Sequence, residues 1–197
     1  MMMLSRFCTF CLLMMLVAAT TGLAVAEATE VAGDENAGGT SATVDVFGEG
    51  KLEVPSQFKA TQPQSNILEY EFVAKSSEDE NATARVTFMP AGGDVRANIA
   101  RWRGQFQGGD AEAQKTKEMK LGKWNVHLVD LSGKFKERVG GGPFFGGKVV
   151  EHENYAMAGA IIVHPEGRKY FVKMVGPAEV VSENRDAFVQ MIKSIER

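Results

Sequence analysis

The chain reads as an α/β (α+β) protein: an α/β/α sandwich on a central, mostly antiparallel sheet of about six to seven strands. Three observations predict this. Short alternating apolar and polar runs recur with tight turns between them, and strands joined that closely pair antiparallel. Two longer segments repeat their apolar residues at helical spacing, and each needs a sheet face to cover. The order of elements is strands, helix, four strands, helix, in one chain of 197 residues.

The first 26 residues have the pattern of an export signal. Arg6 is their only charge, residues Phe7 to Val25 carry none, and Ala24-Val25-Ala26 offers an A-x-A cleavage site before Glu27. A retained anchor is the competing reading, because spanning a bilayer takes roughly 20 apolar residues. Thr9, Thr20, Thr21 and Gly22 weaken that reading, and no basic stop-transfer cluster follows. Lipidation is rejected, since Thr20 stands where a lipoprotein Cys would follow Leu16-Val17-Ala18-Ala19, and Cys8 and Cys11 fall too early. Cleavage would leave 171 of the 197 residues, without cysteine, and move the formal charge from −3 to −4. Disulfide and thiolate chemistry are then excluded, and the domain is held by its core alone. A mildly acidic chain also lacks the concentrated basic face of a nucleic-acid binder.

Residues 27–43 are rich in Ala, Gly, Glu and Thr with few large apolar side chains, so they read as a flexible leader. The single domain is expected over 44–197, its folded part starting near Val44 to Lys51. Leu68, Tyr70, Phe72 and Ala74 alternate with Glu69, Glu71 and Val73, and Ala84, Val86 and Phe88 with Arg85, Thr87 and Met89. These two strands should pair as a hairpin across the polar turn 76–82. Pro90 to Gly93 breaks the second strand, and Asp94 is placed to cap a helix running to residue 106. At 100° per residue, Val95, Ile99, Trp102 and Phe106 form a stripe about 60° wide that docks on a sheet. Gly108-Gly109 ends it. Residues 114–121 and 123–132 then form strands joined at Gly122. In the second of these both faces are apolar, which predicts a central strand. Residues 134–154 show no period and read as a long loop holding Gly140-Gly141-Gly142-Pro143-Phe144-Phe145-Gly146-Gly147. Strands at 155–164 and 169–176 follow around the turn Pro165-Glu166-Gly167. A helix at 182–195 closes the chain, with Val181, Phe188, Met191, Ile192 and Ile195 as its buried stripe.

The segment from Gly92 to Phe106 resembles a motif of uncharacterised exported bacterial proteins: Asn98, two residues, then Arg101-Trp102-Arg103-Gly104-Gln105. The tail Tyr170 to Pro177, followed by a helix, is similar to the same family's ending, and looser likeness runs from about Lys51 to Glu196. Those proteins resemble the PsbP/Mog-like fold, an α/β/α sandwich around an antiparallel sheet. Known members act as binding or assembly factors; one type supports photosystem II and another binds the small GTPase Ran. The resemblance implies a binding or accessory role without catalysis. Many relatives carry a lipoprotein cysteine, which this chain lacks.

Two groups of residues are candidate binding sites. On the first helix, Asn98, Arg101 and Gln105 share one polar flank, and Arg96 and Arg103 the other. Arg101 and Gln105 are i,i+4 neighbours and can act on one anion or peptide carboxylate through Arg's planar fork. The alternative is structural, with Asn98 and Arg101 bonding nearby loops. In the long loop, Phe144 and Phe145 between glycines would offer an apolar anchor for a partner or a membrane surface. The alternative is that they cover the sheet. Neither the glycine run nor anything else supplies a nucleotide loop.

Metal and cofactor sites are not expected. His127, His152 and His164 are scattered, and of the run Glu151-His152-Glu153 only the two acids share a side. No G-x-S-x-G, no H-E-x-x-H and no nucleophilic cysteine is present. Asn81-Ala82-Thr83 fits a glycosylation acceptor, but the bacterial resemblance implies no glycan. The expectation is an exported binding or accessory protein whose partner is an unknown protein or envelope component, with membrane contact only if the signal is uncleaved. Alternatives are a hydrolase-like enzyme assembled from distant residues and a membrane-tethered envelope protein.

Overall fold

A computed structural model describes residues 40–108, 114–140 and 147–196. They belong to one compact unit, Ala37–Arg197. The expected signal, most of the leader, and Phe144 and Phe145 lie outside the described residues. Among those described, no helix is long and apolar enough to cross a membrane.

The unit is an α+β fold with all its strand pairs antiparallel. Strands β1 (Thr40–Val46) and β2 (Gly50–Pro55) form a separate ribbon. The main sheet has eight strands: β3 (Lys59–Thr61), β4 (Tyr70–Lys75), β5 (Thr83–Ala91), β6 (Phe106–Gln107), β7 (Gln114–Leu121), β8 (Trp124–Val139), β9 (Lys148–Val163) and β10 (Lys169–Pro177). Their spatial order is β3-β4-β5-β10-β9-β8, and β6 and β7 share the outer edge of β8. Helix α1 (Val95–Arg103) covers part of one face; α2 (Ala178–Lys193), a short 3-10 turn at Ser194–Glu196 and the ribbon cover the other.

The expected hairpins form as read. Leu121 faces Trp124 across a turn in which Gly122 takes a φ of 54°, in the left-handed region that favours glycine. Asp94 caps α1, its Oδ1 accepting from the Ala97 amide at 2.9 Å. Ile99 and Trp102 are buried as the stripe requires. Phe106 is buried too, but from β6. The helix stops at Arg103, and Gly104 donates back to the Ala100 carbonyl at 2.9 Å.

Five expectations are corrected. The folded part starts earlier than Val44, because residues 40–46 already form β1. The sheet has eight strands rather than six or seven. Strand β8 is covered on both faces yet lies one strand in from the edge; β10 and β9 hold the middle. Helix α2 begins at Ala178, four residues before Ser182. The supposed loop 134–154 is mostly two strand arms, with β8 running to Val139 and β9 starting at Lys148. Those arms pair by charge, with Lys134 2.6 Å from Glu153 and Lys136 3.3 Å from Glu151, and by the hydrogen bond between His152 Nε2 and Glu137 at 3.1 Å. Arms joined largely by opposite charges bury little beyond Phe135, so no apolar period marks them.

The larger core lies between the sheet and α2. The ribbon docks there through Val44, Val46, Leu52 and Val54, all fully buried. A Cβ at Gly50 would come within 2.7 Å of the Trp124 ring, so the close approach of ribbon and sheet requires glycine. Ser194 Oγ accepts from the Glu53 amide at 2.8 Å, and Arg185 grips both oxygens of Asp130, tying α2 to β8.

Candidate functional site

Helix α1 covers only half of its sheet face. Over the covered half, Trp102 lies on Gly159, where a Cβ would come within 2.9 Å of the ring, and meets Phe171 edge-on at 5.1 Å. The other half is open. Its floor is the outward side of β5 and β10: Arg85, Thr87, Met89, Lys173 and Val175.

The β8–β9 hairpin supplies a wall. At Gly133/Phe135 the pairing slips through a bulge, and Asn154 opposite takes a φ of 53°. Beyond the bulge the hairpin bends over the sheet. Glu137, on β8, comes within 3.8 Å of Arg85 on β5, although β9 and β10 lie between those strands. Gly133 makes the bend possible, since a Cβ there would meet the Gln107 carbonyl at 2.6 Å. Floor and wall enclose about 510 Å³, within the usual range for small-molecule sites. Apolar surface comes from Phe135, Tyr155, Val175, Met89 and the loop residues Ile67 and Leu68. Phe135 and Tyr155 lie nearly parallel at 6.1 Å, and His152 stacks on Tyr155 at 4.5 Å.

Most of the charges in and behind this cavity are engaged. Buried Glu71 takes Arg85 Nε at 2.9 Å and the Gln64 amide at 2.8 Å. Burial alone would raise its pKa, but these contacts outweigh it and hold the carboxyl below its usual range. Glu137 is shared by His152 and Arg85. Lys173 differs. It is half-buried, it lines the cavity, and among the described residues it has no carboxylate partner. Its Nζ lies 5.9 Å from the centre of the Trp102 ring, a cation–π contact. Desolvation first, then repulsion from Arg101 and Arg85, lowers its pKa from the ordinary lysine value.

No family model matches the chain, and no curated protein does. Among solved structures it is similar to LpqN of Mycobacterium tuberculosis, described as involved in cell envelope biogenesis. The two are 14% identical, the match covers 79% of this chain and 86% of that one, and the TM-score is 0.40.

The residues singled out on the first helix divide. Asn98 is buried and donates to the Gly92 and Asp94 carbonyls at 3.0 and 2.9 Å, fixing the turn that enters α1. Arg101 donates to Asn98 Oδ1 at 2.7 Å, and Arg103 to Thr116 Oγ1 at 2.9 Å. Arg96 is exposed. Of the five, Gln105 lines the cavity and Arg101 acts on it through its field. Phe144 and Phe145 lie outside the described residues, while Val139 and Val149 near the ends of the hairpin arms are exposed.

Sequence reasoning missed Lys173, Arg85 and Tyr155. One signal was available: Lys173 interrupts the outward row Phe171, Lys173, Val175 with a charge inside a stretch, Tyr170 to Val175, otherwise apolar on both sides.

A second polar cluster lies at the far end of the ribbon. Glu49, His164 and Glu166 place one ligand atom each within 4.8 Å of one another. Their capacity is already used. The Glu166 amide donates to His164 Nδ1 at 3.2 Å, which leaves Nε2 to donate to Glu49 at 2.9 Å. Arg168 reaches Glu49 at 2.5 Å and Glu166 at 3.2 Å, and Lys123 also bonds Glu49. Lys123, His164 and Arg168, in that order of effect, hold the Glu49 carboxyl down at about 2. Two cations balance two acids, so the cluster serves as a clasp between the β1–β2 and β9–β10 turns.

Proposed function

We propose that this is an exported binding or accessory protein without catalytic activity, with a PsbP/Mog-like domain, and that its ligand site is the cavity between the open half of the sheet and the bent hairpin. One observation carries the reading: the hairpin arches across two strands to wall off a partly apolar floor that α1 leaves bare. A fold seeking only stability would cover that floor, because each square ångström of apolar surface left wet forgoes about 25 cal/mol. The absence of catalysis is supported by how the cavity's acids are used. Glu137, the acid that lines the cavity, is shared by Arg85 and His152, and Glu71 behind it is committed to Arg85, so neither is free to serve as a general base. The biological partner is an envelope component or protein, and export rests on the first 26 residues.

The test is amide NMR with a fragment set containing neutral and charged compounds. Shifts should cluster at Arg85–Met89, Lys173–Val175 and Phe135–Glu137. Shifts confined to other surfaces would contradict the site, and turnover of any compound in the set would contradict the absence of catalysis. An intact mass beginning at Glu27 is expected for the exported form; a retained residue 1 would instead favour the tethered protein.

A further inference from the structure

We propose that the cavity takes an organic monoanion, its charged head on Lys173 Nζ and its flat apolar body against Phe135 and Tyr155. This rests on the cavity being the ligand site. Four observations lead to it. Lys173 is the half-buried cavity cation that lacks a carboxylate partner among the described residues, whereas Arg138, which also lines the cavity, is exposed to water. Arg85 beside it has already given Nε to Glu71 and sets Nη1 3.8 Å from Glu137. Arg101, bound to neutral Asn98, adds positive potential with no carboxylate partner of its own among the described residues. The nearly parallel Phe135 and Tyr155 rings supply an apolar wall suited to a planar group.

An uncompensated ammonium drawn partly out of water is unfavourable until an anion joins it. Lowered as it is by burial and by its cationic neighbours, Lys173 would regain its proton affinity on binding such an anion. Arg101 and Arg138 are exposed and keep their water, so Lys173 is the unpaired cation here that is drawn out of solvent, and it matches one negative charge. A dianionic head would leave its second charge facing Glu137, which His152 and Arg85 already share.

Binding of 2-naphthoate, 2-naphthamide and 2-naphthyl phosphate to the purified protein tests this, with amide NMR locating each. The carboxylate should bind at least about tenfold more tightly than the amide, the size of one charge-assisted hydrogen bond. Lys173→Met should erase that preference and Lys173→Arg should keep it. Acid and amide binding equally within the cavity would overturn the anion while leaving the site intact. Absence of any cavity shift with all three would overturn both. Tighter binding of the phosphate would overturn the single charge.

Discussion

The two halves of the sheet face beneath α1 share strands and even rungs, yet they handle large side chains in opposite ways. Lys173 and Gly159 are directly opposed across β10 and β9. At Gly159 the sheet gives up a side chain so that Trp102 can lie flat and dry. At Lys173, one strand away, it presents a long cationic side chain to an open space. The difference teaches where stability and binding capacity reside. The covered half is closed by shape, and the open half holds a charge that is favourable only with something bound.

Emptying the covered half should have the largest effect. Trp102→Ala should cost about 3–5 kcal/mol, measured by urea unfolding, because it leaves a void over Gly159 and removes the edge-on partner of Phe171. Overfilling the same contact is the next largest effect. Gly159→Ala should cost about 1–3 kcal/mol, since the new Cβ meets a rigid ring and Met157 Cε at 3.2 Å. Removing the α1 cap by Asp94→Ala should cost about 1 kcal/mol and leave cavity binding unchanged.

The open half should respond with the opposite sign. Lys173→Met is expected to raise the midpoint of thermal unfolding slightly at neutral pH. Folded Lys173 releases its proton more readily than the unfolded chain, whose lysine titrates near 10.5. Between those two values the unfolded state binds more protons, so the native protein's stability should rise with pH there; the Met variant should lack that rise. A loss of stability in Lys173→Met would show that this side chain holds the fold together.

Much of this fold was legible because burial writes a period into the sequence. The alternation of Tyr70, Phe72 and Ala74, and the stripe through Ile99 and Trp102, gave both the elements and the faces they bury. The ribbon was only half read. Val44, Val46, Leu52 and Val54 do alternate, but they border a stretch of Ala, Gly and Thr that resembles a leader. The hairpin arms were missed because Lys134, Lys136, Glu151 and Glu153 hold them by charge. The site suffered from the same omission. Without the arms there is no wall, and without the wall Lys173 is only a charge in a strand. The helix arginines stand out in the sequence as exposed donors, but Arg101 is tied to Asn98 one turn back on α1, and Arg103 to Thr116 on β7, a contact that depends on that strand meeting the helix.

The most direct measurement is the titration of Lys173 itself, followed by NMR of ε-carbon-labelled lysine with and without saturating 2-naphthoate. In the free protein the Lys173 pKa should lie below the ordinary lysine value, and it should rise when the carboxylate binds. A Lys173 signal that titrates identically in both states, while the ligand is bound, would contradict this.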